Sequence, residues 1–307
     1  MTWVLRAVET ITPEYAGWGF SGLRIATLAA GDTLRLHTAA DELVVLPLSG
    51  SCTVDAGDEG ATLAGRAGVF EGVSDLVYVP RGTDLVIASD GGGRFALATA
   101  RARRQFPFRY VAAQDVPVEL RGAGACSRQV NNFATPDTLD ADRLIACEVL
   151  TPSGNWSSYP PHKHDEDRPG AETALEEIYY FEVAGGGPAY QRVYGPDIDV
   201  LAEVRTGDAV LIPHGWHGPS MAAPGYDLYY LNVMAGPGAR EWLICDDPVH
   251  AWVRGTWADQ PVDPRLPMTE ARPMSTANPL SGALSPEWRD IKRHSADNAP
   301  LNRKEGA

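Results

Sequence analysis

Four of the seven histidines, His162, His164, His214 and His217, fall within 56 residues of one another. Imidazole is the commonest side-chain ligand for a first-row divalent ion, so the cluster points to metal chemistry. In Pro160-Pro161-His162-Lys163-His164 the two histidines are two residues apart. On a strand both rings would project to one face and Lys163 to the other. Glu177 opens an alternating run with Tyr179, Phe181 and Val183, while Glu176 has the opposite parity, which makes Glu177 the expected third ligand. The fourth is expected from Pro213-His-Gly-Trp-His217, with His217 preferred over His214. Any one of these residues alone reads as a solvated strand or turn position. Together, three imidazoles and one carboxylate leave coordination positions open, as a catalytic metal requires. One divalent ion per chain is expected, zinc first, with manganese, iron, nickel or cobalt as alternatives.

These side chains need strands to carry them. Short apolar, β-branched runs such as Leu43-Val-Val-Leu, Leu76-Val-Tyr-Val, Ile178-Tyr-Tyr-Phe and Leu228-Tyr-Tyr-Leu alternate with Gly and Pro turns. Sustained helical periodicity is missing from the sequence. The texture occurs twice. Glu42 opens an apolar run 38 residues before Pro80-Arg-Gly82-Thr-Asp84, and Glu177 opens one 36 residues before Pro213-His-Gly215-Trp-His217. This spacing pairs Glu42 with Glu177 and puts Asp84 where His217 stands. A tandem all-β protein is predicted, with two barrel or jelly-roll domains over 1–118 and 119–271. The first, which keeps His37 and Glu42 but lacks the histidine pair, is expected to be metal-free. Residues 272–307, rich in Pro, Ser, Asn and Arg, are expected to be an extended or disordered tail.

The 307 residues suit two domains, and 31 Gly with 24 Pro favour turns and short strands. A net charge of −14 argues against a nucleic-acid groove or an anionic membrane surface. No run approaches the roughly 20 apolar residues of a bilayer span, and the N-terminus lacks the order of a signal peptide. Cys52, Cys126, Cys147 and Cys245 form no C-x-x-C pair. Reduced thiols in a cytoplasmic protein are expected.

H-x-H, a later Glu and a Pro-x-Gly turn with His resemble the bicupin pattern. The longer runs Ser158-Tyr-Pro-Pro-His-Lys-His-Asp-Glu, Leu175-Glu-Glu-Ile-Tyr-Tyr, Gln191-Arg-Val-Tyr194 and Ala223-Pro-Gly-Tyr-Asp-Leu-Tyr-Tyr-Leu-Asn-Val-Met-Ala-Gly236 are more specific. They closely resemble the 5-deoxy-glucuronate isomerases of myo-inositol catabolism, over roughly residues 1–270. The ketol-isomerases of pectin-derived deoxyuronates are more distant relatives. The resemblance implies a bicupin fold and a divalent metal in the C-terminal barrel. It implies conversion of the aldose 5-deoxy-glucuronate to the ketose 5-dehydro-2-deoxy-gluconate. His162, His164, Glu177 and His217 carry over as ligands. The 13-residue step from His164 to Glu177 is longer than in generic cupins, and the resemblance places the loop Asp165 to Leu175 over the site.

Such a reaction moves protons through an enediol while a Lewis acid stabilises the developing oxyanion. It needs a cation for the uronate carboxylate. Arg192 is expected first, beside Gln191, then Lys163, Arg168 or Arg128, with the parity of Lys163 counting against it. For proton transfer the candidates are Tyr179, Tyr229 or Tyr230, Asp165 or Glu166 on the covering loop, and a metal-bound hydroxide. The partner is a small sugar acid, and a homo-oligomer is expected. An iron-dependent cupin dioxygenase would use the same ligands, and a non-catalytic sugar-binding cupin would share the fold.

Overall fold

Asp41–Ala56 forms one 16-residue strand in the computed structural model, which describes residues 3–270. Its first part pairs with Leu76–Val79 and Gly93–Arg101, its last part with Glu59–Arg66 and Asp84–Ser89. A register shift between Pro47 and Ser49 interrupts the ladder. Such a bulge bends a strand, so this one serves both walls of the first β unit.

The second unit is two facing sheets. One has seven strands in the order Val4–Leu5, Ala209–Ile212, Glu176–Val183, Leu228–Ala235, Ile145–Thr151, Arg128–Ala134 and Val118–Arg121. The other is built from Asp199–Val204, Ala189–Tyr194, Trp216–Ala222, His162–Lys163 and Cys245–Asp246, with Trp156–Ser157 on the flank of Trp216–Ala222. The predicted all-β, tandem-cupin class is what the chain adopts. Among the described residues, helix is confined to Pro13–Ala16 and short 3-10 segments. Among the described residues, no helix is long and apolar enough to cross a membrane.

The seven-stranded sheet is apolar on both faces, which explains why Ile145–Thr151 and Leu228–Ala235 are buried along their whole length. Tyr179, Phe181, Val183, Val149 and Tyr230 fill the space between the two sheets of the second unit. Ile178, Tyr180, Tyr229 and Leu231 instead pack against Val44, Leu46, Ala96 and Ala98 of the first unit. One sheet therefore carries the candidate site on one face and the joint between the units on the other.

Two details depart from the sequence reading. Val4 and Leu5 pair with Val210 and Ala209, so the start of the chain is an edge strand of the second unit's sheet. The exposed ladder groups of Ala209–Ile212 supply the reason, since an uncovered edge seeks a partner. The repeat alignment also shifts by one. Glu42 pairs with Ala100 and accepts the N–H groups of Asp142, Arg143 and Leu144 at 2.6–2.8 Å. Glu176 pairs with Ala235 and accepts those of Gly19, Phe20 and Ser21 at 2.6–2.9 Å. These two carboxylates are counterparts that lock each unit to the other. The residue matching Glu177 is then Leu43, since they pair with Ile212 and Val79, each directly before its Pro. The expected equivalence of Asp84 and His217 matches the register, in which His37 pairs with Asp84 and His162 with His217. The tail expected over 272–307 lies outside the described residues.

Candidate active site

His162 and His217 face each other across paired strands, with ring centroids 4.4 Å apart. His164 follows at the end of its strand, its ring 4.7 Å from that of His217. The three imidazoles are buried, and their ligand atoms lie within 4.8 Å of one another. Backbone carbonyls orient two of them: His164 Nδ1 donates to Leu175 O at 3.3 Å and His217 Nδ1 to Gly215 O at 3.4 Å. Each hydrogen bond leaves Nε2 as a lone-pair donor, as metal-binding imidazoles require.

Glu177 closes the group. Its Oε2 lies 3.2 Å from His164 Nε2 and 2.9 Å from His217 Nε2. The contact with His217 is short, yet its geometry leaves His217 Nε2 without a hydrogen bond, and Glu177 Oε1 is unpartnered as well. Buried polar atoms without partners are costly, and here they converge on one point among nitrogen and oxygen donors. The donor set fits a divalent ion. Burial works to raise the Glu177 carboxyl, but the adjacent His217 and His164 outweigh it and hold the group well below the usual carboxylate range. Burial drives His162 the other way, toward the neutral form a ligand needs, with the neighbouring imidazoles adding to the effect.

Beside His162 opens a cavity of about 220 Å³ lined by Ser158, Tyr179, Tyr230, Asn232, Trp242 and three arginines, Arg121, Arg128 and Arg254. Arg121 pairs with Glu119, and Arg254 with Asp246. Arg128 is buried, donates to Cys126 O at 3.0 Å and lies 5.4 Å over the Trp257 ring. Among the described residues it has no carboxylate partner. Burial, with repulsion from Arg121 and Arg254, pulls its guanidinium down to about 10 against the pull of Tyr230, so it stays charged at neutral pH. Asn232 Oδ1 and Trp242 Nε1 are buried without partners on the same walls.

The sequence candidates separate at this point. His162, Tyr179 and Arg128 line the cavity. His214 lies outside the imidazole group, bonded to Asp197 at 2.9 Å. Tyr229 sits on the far face of its sheet, donating to Glu148 at 2.8 Å beside Arg66, because strand alternation gives the cavity to Tyr230 instead. Arg192 is spent on Asp199 and lies over Tyr194 on an outer groove. Gln191 is buried against Ser220 and the Arg192 carbonyl, away from the cavity walls. Lys163 faces away from the histidines, as its parity predicts, toward Asp165, Glu166 and Glu172. Asp165 has both oxygens engaged, one by Lys163 and one by Gly215 N at 2.7 Å, so it fastens the covering loop to the Pro213–His217 turn. Arg168 is paired with Glu172 and Glu166 on that loop.

Sequence reasoning missed Arg121, Arg254, Asn232 and Trp242. Arg121 and Arg128 are direct cross-strand partners. That like-charged pair across a Gly-rich hairpin is the one signal that was available, since such pairs are disfavoured without a purpose. Arg254 arrives from the 3-10 segment Ala251–Asp259, and nothing in the sequence ties it to the site.

Gly218 holds the wall in place. It has φ +98°, and a Cβ there would come within 1.8 Å of Ser158 O. Gly218→Ala is expected to destabilise the fold by about 2 kcal/mol or more through backbone strain and displacement of Ser158. Urea unfolding of the two proteins checks this.

A crystal structure of an IolB-like protein from Salmonella typhimurium LT2 superimposes with a TM-score of 0.79 at 34% identity, covering 82% of this chain and 99% of that one. Oxalate decarboxylase from Lactobacillus farciminis shares the fold alone, with a TM-score of 0.60 at 13% identity over 80% of this chain and 88% of that one. Fold and site define a bicupin in which the second barrel carries a buried histidine–carboxylate centre. The chain belongs to the KduI/IolB family, whose model matches residues 4–253. 5-deoxy-glucuronate isomerase of Geobacillus kaustophilus HTA426 is 43% identical over 251 residues, which is 80% of this chain and 90% of that protein. The isomerase of the same name from Bacillus subtilis 168 is 35% identical over 254 residues, 81% and 93% of the two chains.

Proposed function

We propose that the protein is a 5-deoxy-glucuronate isomerase, converting this aldose to 5-dehydro-2-deoxy-gluconate with one divalent metal in the second barrel. The observation that carries the reading is a buried three-imidazole, one-carboxylate centre next to a cavity with a guanidinium that has no carboxylate partner among the described residues. His162, His164, Glu177 and His217 would hold the ion, zinc being the first choice for this nitrogen-rich donor set. When bound it supplies Lewis-acid stabilisation of the developing oxyanion, worth several kcal/mol.

The chain's own groups do the rest. Arg128 takes the uronate carboxylate, Asn232 Oδ1 accepts from one sugar hydroxyl, and Trp242 Nε1 donates to another. Tyr179, next to the centre on the Glu177 strand, handles protons. Trp242 and Tyr230 exclude bulk water from one side of the cavity. Leu43 at the position of Glu177 supports a first unit without a metal. Four free thiols, with Cys52 and Cys147 pushed up to about 12 by burial, suit a cytoplasmic setting.

Ketose formation from 5-deoxy-glucuronate under argon, measured with elemental analysis of the same preparation, tests the reading. Turnover without oxygen and about one divalent ion per chain are expected for a three-imidazole, one-carboxylate centre. Oxygen consumption that is required for turnover would favour the dioxygenase, and binding without turnover the sugar-binding module.

A further inference from the structure

We propose that Ser158, Tyr179 and Tyr230 form a hydroxyl relay that carries a proton from one sugar oxygen to its neighbour during the isomerisation. The inference rests on the isomerase reading above. Ser158 Oγ lies 2.9 Å from the Tyr179 hydroxyl and 2.9 Å from the Tyr230 hydroxyl, and either partner can donate in each bond. All three side chains line the cavity beside His162. The two phenol rings are stacked, 4.7 Å apart at 13°, with Phe181 packed 6.1 and 5.9 Å from them. Among the described residues, the serine that bridges them is one of three non-glycine residues with positive φ, at +47°. That conformation is unfavourable for an L residue and persists only where surroundings enforce it, which is common at functional sites. Gly218 leaves room for it here, because any larger residue would collide with the Ser158 carbonyl.

An aldose–ketose change relocates two hydrogens. One moves between carbons. The other leaves the hydroxyl that becomes the ketone and arrives on the aldehyde oxygen, and this is the hydrogen the relay serves. The sugar O–H breaks as a proton reaches the first phenol, that phenol passes its own proton to Ser158, Ser158 passes its own to the second phenol, and the second phenol protonates the other sugar oxygen. Every O–H bond broken is matched by one formed, and no co-reactant is needed. A chain in which each hydroxyl gives as it receives places no charge on a buried phenol, which low-dielectric surroundings would disfavour.

Ser158→Ala, Tyr179→Phe and Tyr230→Phe each break the chain while keeping the stacked rings. Each is expected to lower kcat about 100-fold, the scale of proton-transfer catalysis, with KM, metal content and melting temperature near the wild-type values. In mixtures of light and heavy water the wild-type rate should curve with deuterium fraction, as several protons in flight require, and the Ser158→Ala rate should become linear. The double variant Ser158→Ala with Tyr179→Phe should be no slower than either single one, since a broken chain cannot be broken again. If Ser158→Ala does not fold, the two phenylalanine variants carry the test. A fully active wild type with Ser158→Ala or both phenylalanine variants within twofold of it, or strictly multiplicative losses, overturns the relay alone. A wild type that forms no ketose overturns the isomerase reading and the relay with it.

Discussion

His164→Ala should abolish metal binding and lower kcat/KM at least about 1,000-fold, because the Lewis-acid contribution of several kcal/mol disappears with the ion. Its Nε2 contacts the Glu177 carboxylate at 3.2 Å, and its other nitrogen is fixed by the Leu175 carbonyl. Removing the ring takes away a ligand and the group that orients the carboxylate. Glu177→Ala should have the same effect, and Glu177→Gln separates loss of charge from loss of volume. The fold should survive, since the strand Glu176–Val183 is held by full ladders to Ala209–Ile212 and Leu228–Ala235. Elemental analysis, circular dichroism and ketose formation on one preparation decide the matter. Full activity in a metal-free His164→Ala protein would refute the site.

Arg128→Met should cost about 3 kcal/mol of transition-state binding, roughly 100-fold in kcat/KM, for a substrate bearing a carboxylate. A neutral aldose of the same length should be turned over by the variant as well as by the wild type. The contrast follows from the charge inventory of the cavity: Arg121 and Arg254 are already neutralised by Glu119 and Asp246, and Arg128 has no carboxylate partner among the described residues. The same variant should melt at a higher temperature, because a buried unpaired guanidinium is replaced by an apolar chain of similar length. An Arg128 that only supported the fold would give the opposite sign. Arg128→Lys should recover part of the uronate activity, though a point charge cannot reproduce bidentate recognition. Unchanged kcat/KM for the uronate in Arg128→Met would remove this residue from substrate binding.

The two residues show where reading along a chain succeeds and where it stops. His162 and His164 could be placed on one face because strand parity is a local rule, and the same rule sent Lys163 outward and separated Glu177 from Glu176. Preference for His217 over His214 followed from comparing the repeats, and the imidazole group forms around His217. The repeat comparison failed at Glu42, where two adjacent glutamates in the second unit offered two alignments one residue apart. Only hydrogen bonding to the opposite unit distinguishes them, with Glu42 and Glu176 each capping three N–H groups across the joint.

The amino-acid sequence alone determined the all-β tandem architecture, the histidine pair and its carboxylate, and the net negative charge. Each depends on residue type, alternation or spacing along the chain, or on the recurrence of that spacing in a second segment. The tertiary structure decided which cations face the cavity and which tyrosine does. Position along the chain favours Arg192, but its guanidinium is satisfied by Asp199 on the outside. Arg128 reaches the cavity from a strand three places along the sheet from Glu176–Val183, and Arg254 from a segment beyond the last barrel strands. Tyr229 and Tyr230 are adjacent and chemically identical in sequence. Burial of their sheet on both faces gave Tyr230 to the site and Tyr229 to the joint between the units. Parity says that two neighbours point apart, but which face meets the substrate depends on what packs against each side, and that is a property of the whole fold.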